Sequence, residues 1–437
     1  MRISRRFPLH WLILAAIGAG ALTGFLTGPD AMLFGIPLVA AFDFLGTLFV
    51  NALKMLVVPL IVASVISGVA SIGSPRDLGR LGGKTLLYYV VTTLIAVIVA
   101  LTLSNLVRPG LVDGQPAHDL LALEVSKDEV SGKIARGAGS LADTFLGMVP
   151  PNIIEAAVSN QVLGLVVFSI LFGFFLSRIE PGYGNPLRAF WQGAFQVMMR
   201  MTEFVMLLAP IGVFGLAART VAKTGFDAAG PLLLFSATVL AGLLIYALLL
   251  LPALVKLVAR VNPWPLFPAM APALLTAFST ASSSATLATS IDCTERRVGV
   301  SNRVCGFVMP LGASLNHAGT ALYECASAMF IAQAYGLDLS FGQQFTIALL
   351  ALITSMGLAG IPASSLVAIA VILAAVGLPA EAIGVLLVFD RLLDMCRTAV
   401  NVFADAVCAV IVARLEGEQG IPRSAAQWSW QPAEEPQ

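Results

Sequence analysis

Residues 383–413 decide the fold, and they read IGVLLVFDRLLDMCRTAVNVFADAVCAVIVA. The stretch is apolar and longer than the roughly 20 residues that a helix needs to cross a bilayer. It nevertheless contains five charged side chains, Asp390, Arg391, Asp394, Arg397 and Asp405. One charge at the centre of a spanning helix costs at least about 2.5–3.5 kcal/mol on insertion scales, so five charges need a compensating reason.

Helical spacing gathers most of the polar residues of this stretch on one face. Residues three or four positions apart lie on the same side of a helix. The residues at this spacing are Asp390, Asp394, Arg397, Thr398, Asn401 and Asp405. One interpretation is a buried salt-bridge network that only holds helices together. Intramembrane charge usually marks a substrate or ion pathway, and we favour that interpretation.

The composition indicates a polytopic membrane protein. The chain has 437 residues, of which 58% are hydrophobic and 11% charged, whereas a soluble domain has about 25% charged residues. The net charge of zero and the absence of a basic tract give no indication of a nucleic-acid partner. The five cysteines lie in or near apolar segments and are typical of small buried side chains rather than of a disulfide framework.

Eight apolar segments are candidate membrane spans, at about 8–27, 38–70, 82–107, 141–178, 190–221, 231–259, 299–334 and 381–413. We interpret the first as a span and not as a cleaved signal peptide, because no clear cleavage site follows it. Lys and Arg gather in alternate short loops, which predicts that both termini are cytoplasmic. The polar residues 417–437 are predicted to form a disordered tail outside a single membrane unit, residues 1–416.

Two further apolar segments, about 264–292 and 342–377, are interrupted by Ser, Gly and Pro. The first contains Ser282, Ser283 and Ser284 within the sequence AFSTASSSATL (277–287). Small hydroxyl residues permit close helix packing, which is one interpretation. The other is a helical hairpin whose tip presents backbone N–H groups to an anionic ligand. In the second segment, GLAGIP (357–362) stops a helix within the membrane, and paired broken segments indicate a secondary transporter's binding site.

The seventh span is itself interrupted, by LGASLNHAGTALYE (311–324). Unwound carbonyls and the Asn316 side chain suit a hard cation that prefers oxygen ligands, although a lone intramembrane Asn also serves as an interhelical hydrogen-bonding group. Glu324 is a carboxyl group in an apolar run. It is either a proton carrier or a neutral hydrogen-bonding acid.

The order of these motifs resembles the dicarboxylate/amino acid:cation symporter family, which includes the excitatory amino acid transporters. The motifs are the triple serine (282–284), NHAGTALY (316–323), GLAGIP (357–362) and DMCRTAVNVFAD (394–405). The match is close over about 264–413. It extends upstream through KMLVVPL (54–60) and YYVVTT (88–93).

The resemblance implies an all-α fold with eight transmembrane helices, two re-entrant helical hairpins and inverted repeats, assembled as a homotrimer in the cell (inner or plasma) membrane. It also implies an elevator mechanism. A trimerisation scaffold, about 8–70 and 141–221, would hold a moving transport domain, about 82–107 and 227–413.

The resemblance further implies substrate roles, position by position. Arg397 would bind a side-chain carboxylate and Asp394 the α-amino group. Asn401 and Ser283, at the hairpin tip with Ser282 and Ser284, would bind the α-carboxylate. The rest of the pocket would be Thr320, Thr398, Ile361 and Ser365. Because the chain has both Asp394 and Arg397, we expect L-glutamate or L-aspartate as substrate.

Sodium sites are implied less completely. One would use Gly312, Asn316, Asn401 and Asp405, and a second would use backbone carbonyls near Ser314, Ser355 and Met356. A third site usually includes an Asp where this chain has Ala318. Glu324 matches the position of a Glu in proton-coupled relatives. We therefore expect Na⁺ and/or H⁺ as the co-transported ions, with no other cofactor.

Three other functions are less well supported. A C4-dicarboxylate symporter of the same family is the closest alternative, but Asp394 argues against it. Nothing in the sequence marks a dedicated channel pore or a sensor. An enzyme is disfavoured, because the polar face has no metal triad, nucleophile–base pair or cofactor motif.

Overall fold

The computed structural model describes residues 9–33, 35–71, 81–121, 123, 149–158, 162–225, 229–357 and 364–423. These residues are mostly helical, with two short antiparallel strand pairs. The pairs are β1 (Met32–Leu33) with β2 (Ile36–Pro37), and β3 (Leu111–Val112) with β4 (Gln115–Pro116). The helical prediction is confirmed at this level.

The N-terminal helices pack mainly against one another. They are α1 (Leu9–Thr27), α2 (Leu38–Ser71), α4 (Ile153–Val158), α5 (Val162–Leu176), α6 (Pro181–Leu207) and α7 (Ala209–Thr224). Helix α7 contacts both α1 and α2, and α2 also contacts α5 and α6. The predicted segment 190–221 is thus divided between α6 and α7, and Pro210 at the start of α7 accounts for the break.

Glycine allows α1 and α7 to approach with their backbones in contact. A Cβ built on Gly20 would lie 2.5 Å from the carbonyl oxygen of Phe214, and one on Gly24 would overlap the carbonyl oxygen of Ala218. Close approach of this kind is the usual role of small residues between membrane helices.

Most of the other helices pack around the last one. The other helices are α3 (Gly83–Val107), α8 (Ala229–Ile245), α9 (Leu266–Thr280), α10 (Ser283–Asp292), α11 (Asn302–Leu315), α12 (Ala318–Ala334), α13 (Phe341–Gly357), α14 (Ser364–Ala375) and α15 (Ile383–Leu415). Two π-helical segments, Tyr246–Leu250 and Val255–Ala259, extend α8, and a third, Cys293–Val298, extends α10. Helix α15 contacts α3, α8–α12 and α14, and α13 packs on α3, α12 and α14.

Three helical stretches in the described part are long and apolar enough to cross a membrane, by length and composition: Gly83–Val107, Ala229–Ala259 and Ala380–Leu415. All 17 residues of α12 are buried. The same is true of residues 401–413 of α15. Helices that are apolar on every side are buried in this way, so the polar groups on α12 and α15 face protein.

Residues beyond α15 pack back onto the helix ends. Glu416 forms an ion pair with Lys84 of α3 at 2.7 Å. Glu418 binds the backbone N–H and the hydroxyl of Ser301, and the Arg423 N–H donates to the Val298 carbonyl at 3.0 Å. The first seven residues of the predicted tail, 417–423, therefore have defined contacts, and 424–437 lie outside the described residues.

Candidate functional site

The charged face of α15 forms a buried ion-pair cluster. Arg397 is fully buried, and its Nη2 donates to Asp394 Oδ1 at 2.9 Å and to Asp390 Oδ1 at 3.2 Å. The second oxygen of Asp394 lies 3.5 Å from Nη1 of Arg391. The spacing of three, four and seven residues places these groups on one side of the helix.

Arg397 retains unused hydrogen-bonding capacity. Its Nε and Nη1 are buried, and neither has a hydrogen-bond partner among the described residues. Its guanidinium carbon lies 3.8 Å from the centre of the Tyr323 ring on α12, so an aromatic face covers one side of the cation. A buried guanidinium with unsatisfied donors is suited to binding a carboxylate.

Asn401 connects α15 to the start of α12. Its Oδ1 accepts from the backbone N–H of Gly319 at 2.8 Å, and its Nδ2 donates to the Thr320 hydroxyl at 3.1 Å. Thr398 donates to the Asp394 carbonyl at 2.8 Å. Thr398 is thus hydrogen-bonded to Asp394 within α15, and Asn401 is hydrogen-bonded to Thr320 on α12. All four are predicted substrate-binding residues.

The break between α11 and α12 lies where the sequence predicted it, at Asn316 and His317. Asn316 Nδ2 donates to Asp405 Oδ1 at 2.8 Å, while Asn316 Oδ1 is buried without a hydrogen-bond partner in the described part. A Cβ on Gly312 would overlap the Asp405 carboxylate and lie 2.9 Å from the Tyr89 hydroxyl. Three of the predicted sodium ligands, Gly312, Asn316 and Asp405, therefore form one compact group of buried residues.

The residues of the predicted second cation site differ in their surroundings. Ser355 is fully buried, and its carbonyl is 3.1 Å from Nδ1 of His317. The Ser314 side chain is exposed, and its hydroxyl donates to the Pro310 carbonyl at 3.1 Å. His317 connects the α11–α12 break to the end of α13.

Glu324 is fully buried on α12, next to α13. Its Oε2 lies 2.8 Å from the Thr354 hydroxyl, and its Oε1 has no hydrogen-bond partner among the described residues. The Thr354 hydroxyl is also 2.8 Å from the carbonyl oxygen of Leu350. A buried carboxyl group with one polar neighbour is chemically equipped to hold a proton.

The triple serine lies at a sharp turn between α9 and α10. Ala281 ends α9 with φ +49°, and extended Ser282 then caps α10 by accepting from the Ala285 N–H at 3.2 Å. Both α10 and its π-helical extension contact α9, so the chain doubles back here. Ser283 is buried and Ser284 exposed.

At the other interrupted segment, the structure describes only part of the predicted site. Ser365 is buried at the start of α14, with no hydrogen-bond partner for its hydroxyl in the described residues. Ile361 lies outside the described residues.

A family model described as the sodium:dicarboxylate symporter family matches residues 9–415. The chain belongs to this family. The predicted resemblance is confirmed, and with it the predictions of a membrane transporter rather than an enzyme.

Curated relatives match over nearly the whole chain. The proton/glutamate-aspartate symporter of Escherichia coli (strain K12) is 34% identical over 94% of this chain and 93% of its own length. The proton/sodium-glutamate symport protein of Bacillus caldotenax is 34% identical, with 95% and 96% covered. Human excitatory amino acid transporter 1 is 35% identical, with 92% and 82% covered.

Sequence reasoning about this symporter missed four residues of the site. The family motif assigns no role to Asp390 and Arg391, although their spacing from Asp394 and Arg397 is a usable signal. Tyr323 was part of a family motif without an assigned contact. Thr354 offered no signal, because its partner Glu324 lies 30 residues away in sequence.

Proposed function

We propose that this chain imports acidic amino acids, L-glutamate or L-aspartate, in symport with Na⁺ and/or H⁺. The main support is the pairing of Asp394 with a buried Arg397 whose Nε and Nη1 have no hydrogen-bond partner among the described residues. The names of the relatives, which specify glutamate, aspartate, sodium and proton, agree with this choice.

Asp394 and Arg397 supply opposite halves of the recognition of an acidic amino acid. The guanidinium binds the side-chain carboxylate, and Asp394 binds the α-ammonium group. In the structure the two side chains pair with each other at 2.9 Å. The substrate replaces that pair with two new ion pairs, so each buried charge exchanges its partner for a group of the substrate.

Further residues complete the proposed pocket. Thr320, Thr398 and Asn401 lie on α12 and α15, and the serines at the α9–α10 turn, Ser282, Ser283 and Ser284, provide hydroxyl and N–H groups for the α-carboxylate. Ile361 and Ser365 belong to the second interrupted segment and close the pocket.

One Na⁺ binds near Asp405. The carboxylate supplies the negative charge, and Asn316 Oδ1, Asn401 and the Gly312 carbonyl supply further oxygen atoms. Backbone carbonyls near Ser314 and Ser355 form a second site. Ala318 removes the carboxylate of the third family site, and because a buried cation needs charge compensation, we infer fewer coupled sodium ions.

Glu324 carries a proton in place of the lost cation. The single hydroxyl hydrogen of Thr354 serves only one of two acceptors that each lie 2.8 Å away, the Leu350 carbonyl and Glu324 Oε2. Both contacts are hydrogen bonds when Glu324 is protonated and donates to Thr354, which in turn donates to Leu350. Because only the protonated form of Glu324 satisfies both contacts, the geometry favours that form.

The family architecture completes the proposal. The chain has eight spans and two re-entrant hairpins, forms a homotrimer and has both termini in the cytoplasm. The scaffold, about 8–70 and 141–221, holds the moving part, about 82–107 and 227–413. The packing of α1, α2 and α5–α7 with one another, and of α3, α8–α12 and α14 around α15, supports this division.

A substrate panel in proteoliposomes tests the proposal. L-glutamate is expected to compete with labelled L-aspartate, whereas succinate and L-asparagine are expected to compete at least about a hundredfold less well, because each lacks one of the two charges. Efficient succinate uptake would instead establish a C4-dicarboxylate symporter. Uncoupled anion flux with no amino acid uptake would indicate a channel.

A further inference from the structure

Arg391 is a buried cation for which the family resemblance provides no role. The residue is 8% exposed, it lies next to Asp390 on α15, and its Nε has no hydrogen-bond partner within the described residues. Its Nη1 lies 3.5 Å from Asp394 Oδ2, whereas Arg397 Nη2 donates to Asp394 Oδ1 at 2.9 Å. Asp394 is therefore held between two arginines, one at each oxygen.

Arg391 determines the charge of the cluster. Asp390, Asp394 and Arg397 together carry a formal charge of −1, and Arg391 brings the total to zero. All four residues are less than 9% exposed, so water screens this charge weakly. A cluster with a residual negative charge would repel a substrate that itself carries a net charge of −1.

Arg391 reaches Asp394 from the boundary between α15 and the N-terminal helices. It lines a cavity of about 20 Å³, about enough for one water molecule. Other residues lining this cavity are Ile13, Phe49, Ala209 and Val213 from α1, α2 and α7. These four side chains are apolar, and the carboxylate that lines the cavity beside Arg391 is Asp390, itself a member of the cluster.

We propose that Arg391 is a positioning and specificity-determining residue for acidic substrates, an inference that depends on the proposed function. When a substrate carboxylate attracts Arg397, Asp394 loses its partner at Oδ1. Arg391 then keeps Oδ2 in place and keeps the carboxylate oriented toward the α-ammonium group. It also prevents the cluster from becoming anionic while an anionic substrate enters.

The test compares Arg391→Gln with Arg391→Lys, and uses Arg260→Gln as a matched control at an exposed arginine. For Arg391→Gln we expect the KM for L-aspartate to rise about tenfold and kcat to change less. A tenfold change lies in the middle of the range of coupling energies measured for residues of one salt-bridge network. Competition by the neutral analogue L-asparagine should strengthen relative to L-glutamate. Arg391→Lys should keep the KM within about threefold of the wild type, because it restores the charge.

Two controls separate the possible failures. If Arg391→Gln loses its monodisperse elution peak, Asp390→Asn/Arg391→Gln, which returns the cluster to zero charge, is expected to recover it. Failure of that recovery, or an unchanged KM in Arg391→Gln, would overturn the role of Arg391. Absence of acidic amino acid uptake by the wild type would instead refute the proposed function.

Discussion

The Arg397 guanidinium stacks on the ring of Tyr323, with 3.8 Å between its carbon and the ring centre. Tyr323 is fully buried on α12, a helix whose residues are all buried, so the ring has little freedom to move. The aromatic face stabilises the cation and fixes its plane, while Nε and Nη1 have no hydrogen-bond partner among the residues that the structure describes. A buried cation–π contact of this kind contributes about 2 kcal/mol.

Replacing Tyr323 with Phe and with Leu separates the ring from the hydroxyl group. Phe keeps the aromatic face, so we expect the KM for L-aspartate to stay within about twofold of the wild type. Leu removes it, and the KM should rise about tenfold or more. Initial uptake rates in proteoliposomes provide the measurement. Equal KM values for the two variants would show that the ring does not act on Arg397.

Glu324→Gln tests proton coupling. Glutamine keeps the size of the side chain and a donor toward Thr354, but it cannot release a proton. We therefore expect uptake driven by an H⁺ gradient alone to be lost, while substrate binding in detergent stays within about threefold of the wild type. Unchanged H⁺-driven uptake would contradict a proton role for Glu324.

Gly312→Ala tests the cation site next to Asp405. The added methyl group would overlap the Asp405 carboxylate, whereas a Cβ added to Gly306 on the same helix would meet nothing within 4 Å. We expect the Na⁺ concentration for half-maximal uptake to rise about tenfold in Gly312→Ala, because a carboxylate ligand is displaced. Gly306→Ala is the matched control and should match the wild type. The same Na⁺ dependence in both variants would remove Gly312 and Asp405 from the site.

Gly24→Ala tests the close packing of α1 on α7. The new Cβ would meet the backbone carbonyl of Ala218, which cannot rotate away, whereas Gly18 on the same helix faces open space. Overpacking of this kind costs about 1–3 kcal/mol, so Gly24→Ala should lower the Tm by about 3 °C or more. Gly18→Ala should leave the Tm unchanged or slightly raised, because Ala favours the helix. Equal Tm values for the two variants would show that α1 and α7 are not in backbone contact.

The sequence predicted much of the helical framework, because apolar runs and their interruptions are local signals. The first three predicted segments agree with α1, α2 and α3 to within about two residues, a normal margin for helix ends. The break near Asn316 was also predicted, and a turn at the triple serine was one of two interpretations of that segment. The later part of the predicted stretch 141–178 contains α4 and α5. Residues 141–148 lie outside the described residues.

Long-range contacts could not be derived from local patterns. Thr354 beside Glu324, the contact of His317 with the Ser355 carbonyl, and Glu418 on Ser301 each join residues from separate helices or segments. Arg391 was visible as a charge, but its partner depends on side-chain direction around the helix. From spacing alone, the Arg391 side chain could pair with Asp394 or with a group on another helix.

Gradient-driven uptake by the purified wild-type protein tests the central claim most directly. Proteoliposomes would receive an inward gradient of Na⁺ alone, of H⁺ alone, or of both, with radiolabelled L-aspartate or L-glutamate outside. The proposal predicts that at least one of these gradients accumulates acidic amino acid above its external concentration, and that accumulation stops when the gradient is dissipated. Equilibration without accumulation under every gradient, or accumulation of succinate alone, would contradict it.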